Sequence, residues 1–482
     1  MLRNLNSYIM SKKLFLLSVL LGFCVGTNAQ KDAEEYTTGQ PSITITTTNL
    51  KKQWQLTVLF NDKSKTKPWI DRNNNGKYDA GEESIKKYGI TRFKRTQPTI
   101  TIYGDMTFFS CNLNELVSVD VSKCLGLVSL YCEENQIEKL DVSKNTNLKK
   151  LYCHTNKLSE LKLPSTSGIT EIYCFRNCLN ELDPSVMSKL QEFYCGENNL
   201  TQLDITKNTQ LSLLACNNNK IKTIDISKSP LLQKVYLFDN EIETVDISKN
   251  TALAEFHCYN NKLTNITIGD NIELTALIVS DNKLKALDIS KLVNLTDLQC
   301  DNNQLTELDI AANQKLSFIS CYSNQIANPA MKRMLVNLPD MTSADSKGEV
   351  VVVDTKDANE KNICYKVDVT GLINAKNWTA YDYQQGLNDG RNLYEGEKMP
   401  DGIERVAAVK IKVSPVVDNN VLTVQLPLSM ATATARIFGT NGALLRTVAL
   451  HTAENEIDVA DFTTGVYFLN VNGETQRFVV ER

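Results

Sequence analysis

From residue 105 to residue 328 apolar and polar positions return at a fixed spacing of 21. Asparagine stands at 114, 135, 156, 177, 198, 219, 240, 261, 282, 303 and 324. Five residues before each comes an apolar side chain, from Phe109 to Ile319, and two residues after it another, from Leu116 to Ile326. The unit reads Leu-x-Cys-x-x-Asn-x-Leu-x-x-Leu-Asp-Val-Ser-x-Asn-x-x-Leu. Alternation at its start predicts one short strand per unit, and a unit this small cannot bury its apolar face alone, so successive units must stack into a parallel sheet. Outside the repeats, residues 41–61 and 99–103 alternate as strands do, and 406–413, 421–426, 433–438, 444–450, 456–459, 465–471 and 476–480 predict about seven short strands. Residues 329–338 predict a short closing helix after Pro329, and 384–404 lack periodicity, as a linker does.

This is the leucine-rich repeat pattern. The expected fold class is an α/β-type solenoid dominated by β: a horseshoe of 21-residue repeats, an amino-terminal β cap and a carboxyl-terminal Ig-like β-sandwich. The expected domains are a signal peptide at 1–29, a β-rich cap at 30–104, about eleven repeats at 105–328, a second cap at 329–383, a linker at 384–404 and a final module at 405–482. The signal peptide rests on Lys12-Lys13, the apolar run Leu14 to Val25 and cleavage after Ala29; bulky Phe23 argues against lipidation of Cys24. The apolar run is too short to span a bilayer and no later stretch qualifies.

Three residues before each ladder asparagine stands Cys111, Cys132, Cys153, Cys174, Cys195, Cys216, Cys258, Cys300 or Cys321, replaced by Leu237 and Val279 in two units. Because Leu and Val fill the same slot, it reads as buried and apolar, with free thiols. In-register strands hold neighbouring Cβ atoms farther apart than a disulfide allows. Cys178 falls off this ladder and reads as exposed. The Asp-Val-Ser segments read as local turns in which the carboxylate accepts a backbone N–H, with a row of cation sites as the sharper alternative.

Residues flanking each ladder cysteine alternate with buried ones and face outward. They include Tyr131, Tyr152, Tyr173, Tyr194, Tyr236 and His257 before the cysteine position, and Phe175, Phe238 and Tyr259 after it. This aromatic stripe reads either as a structural ladder or as a binding surface; it is the expected ligand site, for protein or for glycan. A second candidate is Asp71-Arg72-Asn73-Asn74-Asn75-Gly76-Lys77-Tyr78-Asp79-Ala80-Gly81-Glu82, which has the spacing of an EF-hand loop. The expected Ca²⁺ ligands are Asp71, Asn73, Asn75, the Lys77 carbonyl, Asp79 and Glu82, with a structural role.

Composition narrows the chemistry. With 52 Lys+Arg against 56 Asp+Glu the chain has no basic footprint for nucleic acid. Three histidines, His154, His257 and His451, leave no imidazole cluster. Neither a Gly-x-Ser-x-Gly elbow, a His-Glu-x-x-His pair nor a phosphate loop occurs. Cys153 and His154 are adjacent on one strand, so they point to opposite faces and cannot act together. No enzyme is expected.

The repeats with their cysteine ladder resemble the bacterial internalins, especially the internalin J branch, over residues 105–328. That resemblance implies a curved solenoid that sticks to a host surface component. Gly465-Val466-Tyr467-Phe468-Leu469-Asn470-Val471, the turn Asn441-Gly442 and Arg477-Phe478-Val479-Val480 resemble the carboxyl-terminal sorting domain of type IX secretion cargo, with Ser414-Pro415-Val416 where that family often has Asn-Pro. This implies transport by the type IX machinery through residues 405–482 and a location on the outer-membrane surface or outside the cell. The function expected is a surface-displayed adhesin that binds a host protein or glycan through a concave aromatic face. The alternative is a self-associating scaffold that joins neighbouring bacterial cells in a biofilm.

Overall fold

A computed structural model describes residues 38–482 except 65–66, 83–84, 86–88, 167, 385–390, 400–411, 414–420, 426–432, 441–442, 452–453, 472–473 and 481–482. The signal peptide and the Asn441-Gly442 and Ser414-Pro415-Val416 segments lie outside the described residues. Two compact units result, Met1–Gly396 and Glu397–Arg482.

In the first unit each repeat supplies one three-residue strand, Ser129–Tyr131, Lys150–Tyr152, Glu171–Tyr173 and so on to Phe318–Ser320. All pair in parallel with a register shift of 21, so Leu130, Leu151 and Ile172 lie side by side. The unit is a β-solenoid of about ten turns, as its repeat predicts. Its apolar interior is one continuous cluster from Ile43 to Ala380. The ladder cysteines lie in it, fully buried, and all are free thiols. Burial pushes them up, Cys174 and Cys216 to about 12, so they stay protonated and act as small hydrophobes.

Between turns the backbone must find partners without helices or long strands, and the ladder asparagine supplies them. Asn177 accepts from the Leu158 amide at 2.9 Å and donates to the carbonyls of Cys153 at 3.1 Å and Cys174 at 2.9 Å. Asn135, Asn156, Asn198, Asn240 and Asn303 repeat the arrangement, one bond reaching into the previous turn each time. The residue before each of them sits in the left-handed region, from Glu134 with φ 57° to Ser323 with φ 49°. Non-glycine residues pay for that conformation in strain, which the asparagine network holds in place.

A second ladder was not assigned a role from sequence. Asn145, Asn208, Asn250, Asn271 and Asn313 are fully buried and donate to carbonyls 24 and 21 residues back. Asn271 also accepts from the Gly269 amide at 2.9 Å. In the other four units the corresponding amide is taken by the aspartate two residues before it, Ser143 by Asp141 at 2.9 Å, Thr206 by Asp204 at 2.9 Å, Ser248 by Asp246 at 2.8 Å and Ala311 by Asp309 at 2.9 Å. Residue 267 is Thr, not Asp, which frees the Gly269 amide. That glycine is also required sterically, since a Cβ there would lie 2.7 Å from the Ser248 carbonyl oxygen. The aspartates thus shape turns, as the blander sequence reading has it.

The amino-terminal strands Ser42–Thr47, Gln53–Phe60, Trp69–Asp71, Ile90–Lys94 and Thr99–Tyr103 are joined to the repeats by Met106–Ser110. That strand runs antiparallel to Gln53–Phe60 and parallel to Ser129–Tyr131, turning a meander into the solenoid. At the other end Ala330–Val336 is helical, and Gly348–Val353 and Trp378–Tyr383 extend the parallel sheet. Arg391–Leu393, inside the stretch expected as linker, is instead an antiparallel edge strand on Trp378–Tyr383. Its non-local contacts, Arg391 to Glu349 at 2.8 Å and the Tyr394 hydroxyl to the Cys364 carbonyl at 3.0 Å, leave no periodicity to read. The second unit has two antiparallel sheets, with strand orders Lys412–Val413, Val421–Gln425, Glu454–Asp458 and Leu444–Leu450, Ala433–Gly439, Gly465–Val471, Glu474–Val480, sharing one apolar cluster.

Replacing Asn198 by Ala strands the Leu179 amide and two cysteine carbonyls, and is expected to cost about 2–4 kcal/mol. Cys216→Val, which copies the slot filled by Val279, is expected to cost less than about 1.5 kcal/mol. Urea denaturation of both variants checks the order; equal losses would contradict it.

Candidate binding face and cation loop

Parallel pairing in register lines up equivalent side chains of successive turns. On the solvent side of the sheet this forms a small apolar cluster of Tyr173, Phe175, Tyr194, Leu213, Ala215, Tyr236 and Phe238, flanked by Tyr152 and Tyr259 and separate from the interior. Tyr131 and Tyr152 stack at 4.4 Å and Tyr152 and Tyr173 at 4.2 Å, with planes within 7°. His154 on Phe175 and Phe238 on Tyr259 form a second file, at 4.2 Å and 4.5 Å. Tyr236 meets His257 edge to face at 4.9 Å. The files break where Ala215 replaces Tyr and where Asn217 leans over Gly196; a Cβ on Gly196 would lie 2.8 Å from its Oδ1.

These rings are less open than alternation alone suggests. Tyr173, Tyr194 and Tyr236 are only 4–6% exposed, because each is covered by its neighbours on adjacent turns, while Tyr131, Tyr152, His257 and Tyr259 are half-buried. Their hydroxyls are tied as well. The Tyr152 hydroxyl donates to Glu171 at 2.5 Å, that of Tyr236 to Glu255 at 2.6 Å, and that of Tyr173 to Glu192. Sequence reasoning missed these Tyr–Glu pairs, although the glutamates recur two residues before the next ring position. Burial pushes Tyr131 up to about 12. Burial pushes His257 down to about 4, against the pull of Glu255, so its imidazole is neutral. Asp301, 5% exposed and bonded by the Ser280 hydroxyl at 2.9 Å, is pushed up to about 6 by burial.

Cys153 is buried with a raised pKa and His154 lies on the open face against Phe175, so they form no nucleophile and base. Cys178 is exposed.

In the loop 71–82, buried Asp71 accepts from the amides of Asn75 at 3.0 Å and Gly76 at 2.8 Å. Buried Glu82 accepts from the amides of Arg72 at 2.8 Å and Asp79 at 3.0 Å. The side-chain amides of Asn73 and Asn75 both donate to Asp79 Oδ2, at 2.7 Å and 2.8 Å, and hold its carboxyl below the usual range. The Lys77 amide donates to Asn75 at 2.7 Å. Gly76 has φ 75°, as the sharp turn requires. Among the described residues no three His, Cys, Asp or Glu side chains gather as a metal cluster.

Comparison with known proteins follows this geometry. Residues 414–481 match the family model described as a secretion system C-terminal sorting domain. Among solved structures the chain is similar to the functional domain of InlJ from Listeria monocytogenes, which includes a cysteine ladder, with 23% identity over 81% of this chain and 94% of that one and a TM-score of 0.47. It is also similar to the internalin InlF from the same organism, with 24% identity, 48% and 78% coverage and a TM-score of 0.38. The effector YopM from Yersinia pestis gives 22% identity, 52% and 66% coverage and a TM-score of 0.42. The comparison with curated proteins finds no match.

Two buried ionisable groups on this face predict opposite pH effects. A His held neutral stabilises the fold above its unfolded pKa of about 6.5, and that contribution is lost as pH falls toward about 4. An Asp held protonated does the reverse: its contribution is present below about 3.9 and is lost as pH rises through about 6. The urea midpoint at pH 7 minus that at pH 5 should therefore be smaller in His257→Phe than in the parent, and larger in Asp301→Asn. Unchanged differences would contradict these burials.

The described residues hold no helix long and apolar enough to cross a membrane, and the chain carries a type IX sorting tail that directs it to the outer-membrane surface or the extracellular space.

Proposed function

We propose that this exported solenoid is a non-catalytic binding protein displayed at the cell surface, whose open sheet face takes a protein or glycan ligand on a host or neighbouring cell. The observation that carries the reading is the apolar cluster around Tyr173 and Tyr236 on the solvent side of the sheet, outside the core. Ring stacking accounts for the buried centre of this cluster; the half-buried rings at its margins, which face water on an exported chain, fit contact with a partner. The half-buried rings Tyr131, Tyr152, His257 and Tyr259 at its margins offer the accessible area, and Tyr173, Tyr194, Tyr236, Phe175 and Phe238 form the platform beneath.

The loop at 71–82 is read as a structural Ca²⁺ site held by Asp71, Asn73, Asn75, the Lys77 carbonyl, Asp79 and Glu82. The donor set fits: both side-chain amides converge on Asp79, and turning them over would present Asn73 and Asn75 oxygens in place of their N–H groups. The ion would replace these internal hydrogen bonds and fix the loop that follows Trp69–Asp71 in the amino-terminal cap.

Binding of the purified exported protein to host cells, mucin-type glycans and the producing cells tests the main reading. The double variant Tyr131→Ala, Tyr259→Ala, at the accessible margins, should bind host cells at least tenfold more weakly with its urea midpoint close to the parent's. Equal binding would overturn the reading, and binding confined to the producing cells would replace it with self-association. For the loop, millimolar Ca²⁺ should raise the melting temperature of the parent and leave that of Asp79→Asn, Glu82→Gln unchanged; a parent indifferent to Ca²⁺ would remove the site.

A further inference from the structure

The chain as a whole is close to electrically balanced, but its open face is not. The two positions that follow the ladder cysteine carry Glu133, Glu134, Glu197, Asp239, Asp281 and Asp301 over the eleven units, against one cation, Arg176; Glu133 and Asp301 are buried, which leaves Glu134, Glu197, Asp239 and Asp281 toward solvent. Arg176 is itself held by Glu197 at 2.8 Å. In the column before the rings the two lysines are taken by the next turn, Lys150 by Glu171 at 2.7 Å and Lys234 by Glu255 at 2.6 Å, and Glu192 and Asp297 add further negative charge. Asparagines fix the strip: Asn218 donates to Asp239 at 2.8 Å, and Asn260 donates to it from the other side. Lysines return only past the asparagine ladder, at 157, 220, 262 and 283, and Lys262 is paired with Glu241 at 2.8 Å.

The ring geometry limits the ligand class further. Sugars stack on open ring faces, but the planes of Tyr131, Tyr152 and Tyr173, of His154 and Phe175, and of Phe238 and Tyr259 lie within 5–8° of one another at 4.2–4.5 Å, which covers the faces between them, while Tyr194, tilted 54° from Tyr173, and Tyr236, edge to face with His257, are themselves buried. An anionic lipid surface or nucleic acid would be repelled by the carboxylates. Lysine and arginine side chains suit what remains, with aliphatic stems for the ring edges and charged heads for the acids.

We infer that the open face is a docking surface for a polypeptide that presents lysine and arginine, its stems over the aromatic files and its heads along the carboxylates from Glu134 to Asp281. This rests on the reading of that face as the binding surface and names its partner's chemistry. Retention of the full exported protein on a poly-lysine film and on a neutral mucin-type glycan film tests it. The face variant is Glu134→Gln, Glu197→Gln, Asp239→Asn, Asp281→Asn. A control carries the same charge change outside the strands, at the exposed positions Glu138→Gln, Glu181→Gln, Glu243→Gln, Glu273→Gln. Parent and control should be retained alike on poly-lysine, with retention falling steeply as salt rises through the physiological range, and the face variant about tenfold less. Equal retention of face variant and control, or stronger retention of the parent on the glycan film, overturns the inference. Host-cell binding separates it from the broader reading. If Tyr131→Ala, Tyr259→Ala lowers that binding and the face variant does not, only the basic partner is lost. If neither lowers it, both fail. Urea midpoints near the parent's keep a misfolded variant from passing as either result.

Discussion

A strand of three residues cannot hold a fold together, so everything in the solenoid depends on how the backbone between strands is satisfied. The asparagine at each turn does this by bonding its own turn and the one before it: Asn198 holds Cys174 and Cys195 carbonyls and the Leu179 amide at once. A side chain that spans two turns fixes their offset as well as their spacing. A one-residue slip between turns would move the asparagine out of the core and leave several buried groups unpaired, a penalty no surface contact could offset. The left-handed residue before each asparagine is tolerated for the same reason, since the network around it over-determines the local backbone.

Fixed offset has a consequence on the open face. When every turn sits in line with the last, equal positions become columns, and each column acts as a one-dimensional array. Tyrosines then stack at 4.2–4.4 Å, Lys150 finds Glu171, and Arg176 finds Glu197. Along the same column Asp239 and Asp281 meet asparagines at the next turn, Asn260 and Asn302, rather than cations. Interior columns are constrained to be apolar, which is why Leu237 and Val279 can stand for cysteine without disturbing the sheet. The exterior columns carry a looser constraint: their stacked centres and cross-turn pairs serve the fold, and their margins are free to serve contact.

This division also explains what could be read without coordinates. Period, strand position, cysteine burial and the turn role of Asp141 or Asp246 are local or strictly repeated, and an unbroken recurrence of 21 residues states them directly. The second asparagine ladder was present in the same unit but silent, because its partners lie 24 and 21 residues back and nothing at the position distinguishes a buried amide from a turn residue. The tyrosines were legible as a column but not in their burial, since Tyr173 is covered by rings one turn away on either side and not by anything in its own strand. Arg391–Leu393 was misread as linker because its pairing is with a strand outside the periodic region, where the 21-residue rule gives no guidance.

The balance between platform and contact surface on this face follows from the same geometry. A ring stacked between two others gains about 0.5–1.5 kcal/mol per pair whether or not a ligand is present, so the centre of each file has a sufficient cause in folding alone. The ends of the files and the carboxylates beside them do not. Tyr131 and Tyr259 each have a stacked partner on one side, Tyr131 meeting Phe108 edge to face on the other, and Asp239 and Asp281 stand two turns apart with like charge, Asp239 held there by Asn218 and Asn260. Asp301 is costlier still, because burial raises its pKa to about 6 and keeps it charged at neutral pH only at the expense of stability. Residues that burden the fold and face the solvent side of an exported protein are best accounted for by a cationic partner, whose approach converts that burden into binding.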